Sequence, residues 1–115
     1  MGKIELNRAS QHPVVRLTGH IDYTDEAVAN LRSLLFDVRE EGNLVVIDVQ
    51  DLGSACEEVL AILIGFVKRQ QNTDKHLTLL SPNTHLQKRL KTMGVYEMLT
   101  PSFTLEEAFK TLKAA

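Results

Sequence analysis

The run LVVIDV at residues 44–49 constrains the fold more tightly than any other stretch of the chain. Val45, Val46, Ile47 and Val49 are β-branched, and apolar residues fill both alternating sets of positions, so a strand here can show neither face to water. Six residues between the polar flanks EEGN and QD are too few for a buried helix. A strand of this kind needs a packed layer on each side, which in a short chain means helices on both faces of a sheet.

The flanking sequence supplies those helices. From about Thr24 to Glu41, Ala27, Val28, Leu31, Leu34, Leu35 and Val38 recur at helical spacing, with Gly42 as the stop. After the run, Ser54 followed three residues later by Glu57 has the pattern of a capping box, in which each side chain takes the other residue's backbone N–H. It predicts a helix to about Gln71 that buries Val59, Leu60, Ile62, Leu63, Phe66 and Val67. HLTLL at 76–80 reads as a strand after the NTDK turn. Ser81-Pro82 predicts the cap and first residue of a third helix, with Leu86, Leu90 and Met93 inward and Gly94 at its end. A short extended piece is expected near Met98 and Leu99. Thr104 and Glu107 then form a second capping box for a last helix holding Ala108, Phe109 and Leu112. Upstream, KIEL at 3–6 and VVRLT at 14–18 read as strands on either side of Pro13, the first at an edge. The order β-β-α-β-α-β-α-(β)-α is that of an α/β domain with a mainly parallel sheet and right-handed crossovers. With no repeat, linker or low-complexity segment, residues 1–115 are expected to form a single domain.

Composition removes several classes of function. A chain that is 43% hydrophobic and 24% charged has the balance of a soluble globular protein, and no apolar run reaches the length of a membrane span. MGKIELNR lacks the apolar core of a signal peptide, so a cytoplasmic location without stable membrane insertion is expected. Cys56 is the lone cysteine and cannot make an internal disulfide. A net charge of −2 gives no support to nucleic-acid binding. The charge is unevenly placed, with 5 basic and 11 acidic side chains in residues 1–60 against 8 basic and 4 acidic in 61–115. This describes either scattered solvated faces or two electrically distinct regions that orient a partner or a second copy in a homodimer.

The search for chemistry is mostly negative. His12, His20, His76 and His85 show no metal-ligand spacing with one another or with Cys56, and there is no phosphate-binding glycine loop, nucleophile elbow or Cys-x-x-Cys pair. No enzyme, metal or cofactor is expected, and Cys56 reads as a structural thiol.

Three stretches carry a resemblance when taken in order: VVRLTGHIDYTDE, LVVIDVQDL leading into a helix, and HLTLLSPNTHLQKRLKTMGVYEMLTPSFTLEEAF. Gly19-x-Ile21-Asp22, Asp48, the Ser81 turn, Met93-Gly94-Val95 and Ala108-Phe109 are the matching features. Together they resemble the STAS domain, named for sulfate transporters and anti-sigma factor antagonists. The resemblance implies a mixed, mainly parallel sheet of four or five strands with about four helices packed on both sides. It also implies a non-enzymatic regulatory module that binds a protein partner.

In the antagonists of that family the second helix begins with Asp-Ser-Ser/Thr-Gly-Leu, where one hydroxyl is phosphorylated by a partner kinase. Aligned without a gap, the motif falls on Cys56-Glu57-Glu58-Val59-Leu60, and only the leucine matches. Glu58 replaces the acceptor hydroxyl, so the family's switch by serine or threonine phosphorylation is chemically impossible at that position. A carboxylate is also an imperfect phosphate mimic, with one negative charge and fewer acceptor oxygens. Both glutamates have a plainer role as well, since carboxylates in a first turn complement the helix dipole by about 0.3–1 kcal/mol each. The implied switch surface comprises Gly53, Ser54, Cys56, Glu57 and Glu58. Its partner would be an anti-sigma factor or serine-kinase-like protein, with an accessory role in a membrane transport system or a small-ligand or nucleotide sensor as alternatives.

Overall fold

The computed structural model describes residues 2–7, 12–21, 26–41, 44–70, 73 and 75–114. Its strands are β1 (Lys3–Asn7), β2 (Val14–Ile21), β3 (Leu44–Asp48), β4 (Leu52–Ala55), β5 (His76–Leu80) and β6 (Pro101–Ser102). The helices are α1 (Glu26–Val38), α2 (Glu57–Gln70), α3 (Thr84–Thr92) and α4 (Leu105–Ala114). The sheet runs β1-β2-β3-β5-β6, with β1 antiparallel to β2 and the other pairs parallel. β3 is central and β1 is an edge, as their patterns predict.

The alternation within β3 divides the core. Val45 and Ile47 join Val15, Leu17, Leu77 and Leu79 beneath α1, α2 and α3, whereas Leu44 and Val46 meet Val14, Leu80 and Ala108 of α4 on the other face. Val28, Leu31, Leu35 and Val38 fill the inner stripe of α1, and Val59, Leu60, Leu63 and Phe66 that of α2. Ile62 and Val67 are only half-buried.

The strand β4 is one more than expected, and it changes the setting of residues 52–55. An Asx turn, in which Gln50 N–H donates to Asp48 Oδ1 at 3.0 Å, breaks the path between β3 and β4. β4 then pairs with the far end of β2, placing His20 opposite Ser54 and Ile21 opposite Ala55. The register shifts between Gly19 and His20, and Gly19 has φ 72°, a conformation open to glycine at little cost. Its N–H donates to Asp51 O at 3.2 Å, and the Arg16–Asp51 ion pair bridges the same bend.

Four expectations are corrected. Ser54 does not cap α2: it lies in β4, and the carbonyl of Cys56 opens the helix by accepting from Val59 N–H at 3.2 Å. The cap of α3 is Asn83 rather than Ser81; its Oδ1 accepts from Leu86 N–H at 2.8 Å. Ser81 instead takes φ 56° and donates its N–H to Ser102 O at 2.7 Å. Met93, expected inward, is 48% exposed because α3 has already ended at Thr92. The piece near Met98 and Leu99 is a 3-10 turn over Glu97–Leu99, and the strand follows at β6.

The second capping box forms with its return bond shifted by one residue. Thr104 Oγ1 accepts from Glu107 N–H at 3.0 Å, and the Glu107 carboxylate takes the Phe103 N–H at 2.8 Å, one residue before the cap. Gly42 and the side chains of Ala27 and Leu112 lie outside the described residues.

Candidate functional site

The segment 53–58 is built where one end of the sheet turns into α2. Parallel pairing holds β4 to β2, and Cys56 N–H donates to Ile21 O at 2.9 Å, so the chain leaves the sheet at a fixed point. Asn83, the cap of α3, and Arg89, in its last turn, clamp the other edge of β4. Asn83 Nδ2 donates to Leu52 O at 2.9 Å, and Arg89 Nη1 donates to Ala55 O at 2.7 Å. Asn83 therefore caps α3 and ties it to β4 with the two ends of one amide.

Each candidate residue has a distinct place. Gly53 lies under the His20 ring, where a Cβ would stand 2.7 Å from His20 Cε1 and 3.2 Å from Gly19 O. A side chain there would displace the ring. Ser54 Oγ lies 2.8 Å from His20 Nδ1, so the hydroxyl is engaged by a side chain of β2 and not by the helix. Cys56 is half-buried and packs against the main core, as a structural thiol should. Glu57 and Glu58 are both exposed in the first turn of α2, where they complement its dipole.

The two glutamates face different surroundings. Glu57 lines an open groove of about 630 Å³ between α2 and α3, together with His85, Lys88, Arg89, Thr92 and Met93. Glu58 is not among its lining residues. A carboxylate opposed by basic side chains and an exposed methionine suits a protein surface that carries both charge and apolar groups. The α3 side of this groove was not among the residues singled out from sequence. A signal was present, because His85, Lys88, Arg89 and Thr92 fall at i, i+3, i+4 and i+7 and so share one helix face. No group of three or more potential metal ligands occurs among the described residues. Among them no helix is long and apolar enough to cross a membrane.

A family model described as "Mlab, STAS domain" matches residues 4–101. The chain belongs to the STAS family. Solved structures agree on the fold of this STAS protein. The anti-sigma factor antagonist SpoIIAA in its unphosphorylated form is 17% identical with a TM-score of 0.75, covering 98% of each chain. An anti-sigma factor antagonist from Mycobacterium paratuberculosis is 15% identical with a TM-score of 0.77, covering 98% of this chain and 95% of its own. A serine-to-glutamate variant of RsbS from Moorella thermoacetica is 18% identical with a TM-score of 0.76, covering 97% and 96%. At these identities the likeness is one of fold. No curated protein matches the chain. The six strands and four helices of the described residues fit the mixed sheet that the resemblance implies, with β4 as the additional strand.

Proposed function

We propose that residues 1–115 form a single STAS domain that acts in the cytoplasm, without catalysis, by binding a protein partner through the surface around residues 53–60. The observation that carries this reading is the first turn of α2. Glu57 and Glu58 stand exposed where the antagonists of the family carry hydroxyls, on a segment fixed to β2 and α3 by three backbone-directed hydrogen bonds and strand pairing. A surface that is held this firmly loses little conformational freedom on binding. SpoIIAA shares this fold and is described by its phosphorylation state, and RsbS has been solved with a serine replaced by glutamate. The present chain carries glutamates of its own. Its partner is an anti-sigma factor or a serine-kinase-like protein that reads a permanent negative charge at position 58, so the contact is not released and restored by phosphorylation.

Phosphorylation supplies the first test. A serine kinase of the anti-sigma type, incubated with the protein and labelled ATP, should leave residues 53–60 unmodified, as read by mass spectrometry of the segment. Ser54 is its only hydroxyl, and that group is held against His20 in a strand rather than presented at the helix start. Stoichiometric phosphate on Ser54 would contradict the proposal and move the acceptor four residues upstream.

A further inference from the structure

A second concave site lies along the C-terminal half of α2, facing α1. It holds about 90 Å³, several times the roughly 10–15 Å³ that one water molecule needs. Arg32 and Arg39 from the α1 side and Arg69 from α2 line it, with Phe36, Gly65 and Gln70. None of its lining residues is acidic. Two of the five basic side chains in the acidic half of the chain thus meet a third across one cleft.

Arginines near a helix end have a plainer explanation. Arg69 is in the last turn of α2, where a cation complements the dipole, and Arg39 is held by Glu40 at 3.3 Å and lies 4.4 Å over the Phe36 ring. One further observation is left unexplained by that account. Gly65 sits inside α2, where glycine weakens a helix relative to alanine, and a Cβ built on it meets nothing within 4 Å. Packing does not require a glycine there. Its missing side chain instead keeps the cleft open.

We propose that this cleft binds a phosphate monoester, with the phosphate taken by Arg32, Arg39 and Arg69 and an aromatic ester group lying on Phe36. Three guanidinium groups offer more donors than the two oxygens of a carboxylate can use, whereas a phosphate has three terminal oxygens. Phe36 is 54% exposed at the mouth and offers a ring face to a planar group. Asp37 stands in the neighbouring outer depression with Arg32 and Arg69, so that depression, unlike the cleft, has an acidic residue in its lining. The site is separate from the first turn of α2, and its test is independent of any protein partner.

Phenyl phosphate is the probe, titrated into the full chain and followed by amide NMR, with inorganic phosphate and benzoate as comparisons. Saturable shifts should concentrate in residues 32–39 and 61–70. Phenyl phosphate should bind about tenfold more tightly than either comparison, and Arg32→Gln and Arg69→Gln should each weaken it about tenfold. Gly65→Leu should fill the cleft and abolish binding. Dispersed spectra for the variants establish that they fold. Shifts scattered over all basic surfaces, tighter binding of benzoate, or binding unaffected by both Arg69→Gln and Gly65→Leu would each overturn the assignment.

Discussion

Leu60→Ala is expected to lower stability by about 2–5 kcal/mol, read as a shift in the chemical-denaturation midpoint. Leu60 is 1% exposed and belongs to the main core, where it anchors the first turns of α2 under the sheet. Truncation there leaves a cavity in a region already held by β2, β4 and α3, which leaves little freedom for the surroundings to collapse into it. A loss of this size is a large fraction of the roughly 5–15 kcal/mol typical of a domain. Glu58→Gln, two residues earlier but exposed, should change stability by no more than about 0.5 kcal/mol. The only residue of the family motif retained in this segment is therefore the one that belongs to the core.

Asn83→Ala should cost about 2–4 kcal/mol, more than an ordinary surface cap. Two losses combine. The Leu86 N–H loses its cap acceptor, worth about 0.5–2 kcal/mol, and the carbonyl of buried Leu52 loses its donor, worth about 1–3 kcal/mol. Asn83→Asp separates them, because aspartate caps as well as asparagine but cannot donate to Leu52 O. Urea melts should therefore place the aspartate variant between wild type and alanine. Equal stability of the aspartate variant and wild type would show that the Asn83–Leu52 bond contributes nothing.

The elements legible in the sequence were those with a period. α1 and α2 show their inner stripes, β3 its two apolar faces and β5 its limits, because burial of a repeating face leaves a mark on every third or second residue. β4 left no such mark: LGSA contains four residues, a glycine and two small side chains, and its pairing depends on where the end of β2 lies in space. The Ser54-x-x-Glu57 spacing misled for a related reason. A capping box is a local pattern, and at Thr104 and Glu107 the local competition was won by the helix, whereas at Ser54 the sheet continued and His20 took the hydroxyl. Ser81-Pro82 failed because Asn83 can bond both its own helix and a carbonyl 31 residues away in sequence, a gain that a serine at position 81 cannot match. At the candidate site, the sequence marked the acidic helix start, while the basic side of the groove came from α3 and depended on how two helices pack.

If the start of α2 is a surface read by a protein partner, binding should depend on the charge at position 58. The partner recovered from the source cell would be purified and titrated against wild type, Glu58→Gln and Glu58→Ser, with denaturation curves run in parallel. Both substitutions should change Kd by about tenfold or more, about 1.4 kcal/mol, at unchanged stability. Equal affinity for all three proteins would contradict that dependence and leave Glu58 as a residue that only helps to start a helix.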